Sequence, residues 1–215
     1  MDRMHLMTVP YPVRIRPSSA HIVLLVLAVL LAYASALDAG FQFDDFNVIV
    51  LNDAVHGLGA WWADMPGIRP LLKLSYAVNW SLDPGPYGFH LANVAVHAIN
   101  AVLVYLLALY WANRLDPRGT RPAAAAFVTA LIFALHPANT EAVTYVSGRS
   151  VSLMALFYLS ALVLYTRHKA PDGRALSFAA LAFALALSVK EIAVILPVAL
   201  QIGRASCRER VSVVV

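Results

Sequence analysis

Charge and cysteine are what this sequence is short of. Only 13% of its 215 residues are Asp, Glu, Lys or Arg, about half the roughly 25% usual in soluble domains. A single cysteine, Cys207, excludes a disulfide framework and a cysteine-based metal site. No Asp, Glu, Lys or Arg occurs between Asp83 and Arg114, and 60% of the chain is hydrophobic. A soluble protein of this composition would need several helices buried on every side. Apolar blocks separated by short charged turns instead predict bilayer-spanning helices. The net charge of +4 does not point to nucleic acid, because the basic residues are dispersed at the ends of the apolar blocks.

The blocks predict an all-α multi-pass membrane protein. Residues 22–37 follow Arg3, Arg14 and Arg16 and form about the shortest run able to cross a hydrocarbon core at about 1.5 Å per residue. Ala34-Ser35-Ala36 resembles a signal cleavage site, but the membrane-embedded sequence that follows favours an uncleaved helix. Residues 38–89 form a loop with six acidic groups and two basic ones, Arg69 and Lys73. Further helices are predicted at 90–112, 123–135, 151–165 and 175–189, with a sixth beginning at 192–201. Residues 72–80 alternate like a strand but equally suit a helix lying on the membrane. In the segment 139–148, Asn139 or Thr140 can cap a short helix with Glu141 in its first turn.

Three stretches carry three Lys or Arg each: the N-terminus, the turn at 113–122 and the turn at 166–174. The opposite side holds four: Arg69, Lys73, Arg149 and Lys190. The positive-inside rule therefore puts residues 1–20 in the cytoplasm and the 38–89 loop, residues 136–150 and Lys190-Glu191 on the external face. Residues 21–201 form the membrane domain. Residues 202–215 read as a non-native tail: the stretch from Ile202 to Val211 resembles a translated sequencing adapter and breaks an apolar segment without a turn signal. The chain is thus expected to be the first five and a half helices of a longer protein.

Chemistry is expected on the external face. In Phe41-Gln42-Phe43-Asp44-Asp45-Phe46, two adjacent carboxylates repel, and an apolar setting raises the proton affinity of one. Either can act as a general base on a hydroxyl, or both can be turn-forming loop acids. His90, Asn93, His97 and Asn100 recur at helical spacing and share one helix face. Facing lipid would be costly, so this stripe either glues helices together or lines a cavity. The external cations Arg69, Lys73, Arg149 and Lys190 suit phosphate oxygens, or snorkel at helix ends. Trp61, Trp62, Tyr76 and Trp80 suit interfacial anchoring. No ligand spacing supports a dedicated metal site.

Three passages together carry a resemblance: Phe43-Asp44-Asp45-Phe46; Arg69-Pro70-Leu71 leading to Gly88-Phe89-His90-Leu91-Ala92-Asn93-Val94-Ala95-Val96-His97-Ala98; and His136-Pro137-Ala138-Asn139-Thr140-Glu141-Ala142-Val143 with Gly148-Arg149. Their order and spacing resemble the membrane half of the transmembrane-and-tetratricopeptide-repeat O-mannosyltransferases, within the GT-C class of polyprenyl-phosphate-dependent glycosyltransferases. The resemblance covers residues 39–200. It implies a GT-C-type helix bundle that moves a sugar, mannose foremost, from a lipid-phosphate donor to a Ser or Thr hydroxyl of an acceptor protein. Asp44 or Asp45 matches the position of the catalytic base of that class. By location, Arg149 or Lys190 would hold the donor phosphate, with Arg69, His90, His136, Glu141 and Glu191 shaping the site.

The implied partners are the bilayer, the donor lipid and the acceptor protein, and not nucleic acid. The implied setting is a bacterial inner membrane, or the endoplasmic reticulum in a eukaryote. No cofactor is required by the residues, and use of a divalent metal is left open. No 34-residue repeat occurs, as a truncated chain would have it. Two other readings stay open: a same-fold transferase with a lipid or glycan acceptor, and a non-catalytic transporter or assembly factor whose path the His/Asn stripe would line.

Overall fold

The computed structural model describes residues 16–64, 67–115, 121–167, 173–198 and 200–201. The stretch 202–215, read above as a foreign tail, lies outside the described residues. Every regular element among them is helical. Eight α-helices follow one another: α1 (Ser19–Ala32), α2 (Leu58–Asp64), α3 (Pro70–Leu82), α4 (Pro86–Leu115), α5 (Pro122–Leu135), α6 (Thr140–Thr144), α7 (Arg149–Arg167) and α8 (Gly173–Val189). Short 3-10 turns join several of them, and one π-helical turn, Phe46–Val50, lies in the first loop. Proline at the first position starts α3 and α5, where its missing N–H costs no hydrogen bond.

The chain is an all-α membrane protein. Two stretches are long and apolar enough to cross a bilayer, Pro86–Arg114 and Val146–Thr166. A third exists if α5 and Pro137–Thr144, bent by 51° at the break between them, count as one span. Beside these, Ser19–Ala32 and Gly173–Val189 are shorter apolar helices among the described residues, so all five complete blocks expected from the sequence contain a helix. The first expected span, 22–37, is divided: α1 stops after 14 residues, about 21 Å at the usual rise. Tyr33 then leaves helical geometry, its ring edge-on to that of His97 at 5.3 Å, and Ala34–Asp38 tightens into a 3-10 turn. The fifth, α8, has 17 residues. The sixth starts as a 3-10 turn, Glu191–Ile195, rather than an α-helix. Residues 72–80 belong to the helix α3, which settles their ambiguity.

Helix α4 is the centre of the bundle, packing against α1, α5 and α7, while α8 lies along α7. Small residues permit the close approach: Ala126, Ala130 and Ala134 recur every fourth residue on α5 and are buried, the small-residue spacing that lets membrane helices pack closely. Leu24, Leu27 and Leu31 of α1, Val128 and Ile132 of α5, and Phe178 and Leu181 of α8 are exposed, as lipid-facing side chains should be.

The polar stripe of α4 turns inward. Asn93 Nδ2 donates to the carbonyl of Tyr145 at 3.0 Å, His97 Nε2 lies 3.0 Å from the carbonyl of Ala134, and Asn100 Nδ2 donates to that of Ser152 at 2.8 Å. These bonds tie α4 to α5 and to the start of α7. Of the two readings of the stripe, interhelical glue describes Asn93, His97 and Asn100.

Candidate active site

The ends of α1 and α8 and the starts of α3, α4 and α7 meet at one end of the bundle. There the loop 41–46 lies against residues 145–148. The two segments are about a hundred positions apart in sequence, and hydrogen bonds between them shape the site. Gln42–Asp45 is a turn in which Asp45 N donates to Gln42 O at 2.9 Å and Gln42 N donates back to Asp45 Oδ2 at 3.0 Å. Inside it, Phe43 takes a left-handed φ of 43°, a conformation costing a non-glycine residue about 1–2 kcal/mol. Asp45 Oδ1 accepts from Ser147 N at 2.8 Å and from the Ser147 hydroxyl. One residue earlier, the Tyr145 hydroxyl accepts from Asp44 N at 2.8 Å.

These contacts split the acidic pair. Asp45 is 1% exposed, its carboxylate occupied by three donors. Asp44 is exposed, and its carboxylate makes no hydrogen bond to any described residue. Asp44 instead lines a cavity of about 430 Å3, with Asn47, Arg69, Tyr76, Glu141, Tyr145 and Lys190 among its walls.

The two cations of the cavity differ. Arg69 forms a bidentate pair with Glu191: Nη2 to Oε1 at 2.6 Å and Nε to Oε2 at 3.1 Å. This holds the Glu191 carboxyl down at about 2, below the usual 4.5, and raises the Arg69 guanidinium. The folded value is the lower one, so the pair is complete above pH 4.5 and is lost as the pH falls toward about 2. Arg69 itself has a left-handed φ of 57° at the start of α3. Lys190, half-buried, has no acidic side chain within ion-pair distance among the described residues, so its ammonium is available. Burial raises the Tyr76 hydroxyl well above its usual value, which keeps it protonated.

The remaining predicted residues lie elsewhere. Arg149 is 2% exposed and does not line the cavity. It donates to Asn93 Oδ1 at 2.7 Å, Asn79 Oδ1 at 2.6 Å, Phe89 O at 2.8 Å and Ser75 O at 3.2 Å, and lies between the rings of Tyr76 and Phe89. Its charge is held by neutral oxygens and ring faces. His90 is buried, and neither ring nitrogen has a well-formed hydrogen bond. His136 is exposed and caps the 3-10 turn Pro137–Asn139 by accepting from Ala138 N at 3.1 Å. Asn139 stands at the N-cap of α6 but turns its amide to Phe133 O at 2.6 Å, so it does not cap with its side chain. Structure thus brings Asp44, Arg69, Glu141 and Lys190 into one cavity, with Glu191 on Arg69.

Tyr145 and Ser147 are the residues that sequence reasoning missed. Their one signal was position, on the polar stretch between two apolar blocks that the charge count had already put on the external face. Gly148 completes that turn. A Cβ there would come within 2.4 Å of the Glu141 carbonyl oxygen and 3.0 Å of Ala142 Cα, so only glycine lets the turn fold back on α6.

The chain is similar in sequence to known proteins. The chain is 32% identical over 167 residues to the protein O-mannosyl-transferase TMTC3 of Mus musculus, covering 70% of this chain and 17% of that protein. It is 31% identical over 160 residues to human TMTC4, covering 64% and 22%. It is 28% identical over 165 residues to the protein O-mannosyl-transferase F38B6.6 of Caenorhabditis elegans, covering 69% and 23%. The chain therefore spans about a fifth of the length of the curated relatives it matches. No family model and no solved structure matches it.

Proposed function

Because this chain belongs, along its matched stretch, to the TMTC family of protein O-mannosyl-transferases, we propose that its cavity is the transfer site for mannose from a polyprenyl-phosphate donor to a protein Ser or Thr hydroxyl. The observation that carries the proposal is one cavity holding both an unoccupied carboxylate, Asp44, and an unpaired ammonium, Lys190. Those are the two groups an inverting transfer needs.

In this reading the Asp44 carboxylate takes the proton of the acceptor hydroxyl as its oxygen attacks the anomeric carbon. The bond from that carbon to the phosphate oxygen breaks, and the polyprenyl phosphate departs with the electron pair. Lys190 stabilises the charge that gathers on the phosphate, and Arg69 lies close by in its pair with Glu191. The charge count supports the non-cytoplasmic side of the membrane for this chemistry. The bundle supplies the apolar surface beside which a lipid-linked donor must lie. GT-C membership belongs to the same proposal; the cavity's two carboxylates, Asp44 and Glu141, with no group of three or more metal-ligating side chains among the described residues, do not make a dedicated metal site, and no step is routed through an ion.

The test is transfer of mannose from polyprenyl-phosphate-mannose to a Ser/Thr peptide by the protein in membrane vesicles. Asp44→Asn is expected to lower kcat by about 10²–10⁴-fold, the usual contribution of a positioned base. Lys190→Ala is expected to lose rate while leaving acceptor KM unchanged. Wild-type transfer by Asp44→Asn would remove the proposal.

A further inference from the structure

We infer that Asp45 is a positioning residue, and that with Ser147 it forms a clamp holding the neighbouring Asp44 carboxylate at its station in the cavity. This rests on the reading of Asp44 as the base.

Residues 41–46 are a loop containing a left-handed phenylalanine, and such a backbone persists only when its surroundings over-determine it. The surroundings here are the Asp45 carboxylate and the Tyr145 hydroxyl. One carboxylate oxygen closes the turn on itself through Gln42 N, and the other fastens it to Ser147 through both the backbone N–H and the hydroxyl. The Tyr145 hydroxyl fastens Asp44 N on the other side, and the Phe43 ring meets the Tyr145 ring edge-on at 6.5 Å. Asp44 is therefore pinned through its own amide and through the next side chain, while its carboxylate makes no bond of its own.

Ser147 also lines the cavity, so the clamp lies in the wall beside the group it holds. Asp45 has both carboxylate oxygens engaged by donors of the chain and does not line the cavity, so it is not placed to reach a substrate. Its fixed orientation, however, is what a base needs from its support, because a displacement of about 1 Å can cost on the order of 10²-fold in rate.

The same transfer assay separates this role from a merely structural one. Asp45→Asn keeps the size of the side chain but sets an amide N–H against either Gln42 N or Ser147 N. Ser147→Ala removes only the hydroxyl. Both are expected to lower kcat about 10- to 100-fold while donor and acceptor KM stay within about twofold. Ser147→Thr, which keeps a hydroxyl, is expected to restore most of the rate. The double variant should fall no further than the worse single one, since both break one clamp.

Folded protein is followed in parallel by thermal unfolding, and rates are expressed per folded molecule. If Asp45→Asn does not fold, the Ser147→Ala and Ser147→Thr pair carries the test alone. Wild-type kcat in Ser147→Ala, with Asp44→Asn inactive, would overturn the clamp and leave the base standing. A loss confined to KM, or one no threonine restores, would overturn it as well. Wild-type activity in Asp44→Asn would instead overturn the base, and the clamp with it.

Discussion

Single side chains at this site are separated by what they touch. Asp44 and Asp45 are alike in the sequence; in the fold, Gln42 N and Ser147, 102 positions away, engage the Asp45 carboxylate, and the Asp44 carboxylate is left facing the cavity. Sequence reasoning could find the pair and predict its side of the membrane but had no means to divide it. Arg149 is a different case. Its charge and its place at a helix start suggest a phosphate ligand, whereas the buried side chain donates to Ser75, Asn79, Phe89 and Asn93 and lies outside the cavity wall. At this scale Gly148 offers a sharp test. The atoms a Cβ would meet are backbone atoms of Glu141 and Ala142, which cannot rotate away as a flexible side chain would. Gly148→Ala is expected to destabilise the protein by about 1–3 kcal/mol, the usual cost of overpacking, and to lower transfer per folded molecule by moving Ser147. Thermal unfolding of the purified protein in detergent, followed by tryptophan fluorescence, checks the first effect. The transfer assay checks the second.

Among the elements, Arg149 joins three helices. It extends from the first residue of α7 to Ser75 and Asn79 on α3 and to Phe89 and Asn93 on α4. A lysine cannot reproduce that planar fork. Arg149→Lys should therefore leave at least one buried oxygen unsatisfied, at about 1–3 kcal/mol for each. The predicted signature is a lower thermal midpoint with unchanged donor KM in the molecules that remain folded. A raised donor KM at unchanged stability would instead return Arg149 to phosphate binding. Helix existence was legible from the charge-free stretches, and the ends of α5 and α8 fall within two residues of expectation. The end of the first helix was not legible, because a tertiary partner, His97 against Tyr33, lies where that helix stops.

At the level of the whole molecule, the functional residues gather at one end because alternate helices bring their C-termini and N-termini there. The charge count predicts that this end faces away from the cytoplasm. With Cys207 replaced by serine, a cysteine at position 53, where the Asp53 side chain is fully exposed, should react with a membrane-impermeant maleimide from outside. A cysteine at the exposed Arg121 should react only after permeabilisation. The opposite pattern would reverse the orientation and move the cavity to the cytoplasmic side. The bonds between Asp45 and Ser147 also bear on biosynthesis. At a synthesis rate of about 5–20 residues per second, the acidic loop waits about 5–20 s in the membrane before its anchors are made. With Asp44 as the proposed base and its end of the bundle outside the cytoplasm, the loop would cross the bilayer before Tyr145 and Ser147 exist to hold it. An unfinished chain would thus hold the Asp44 carboxylate out of register until residues 145–148 were in place.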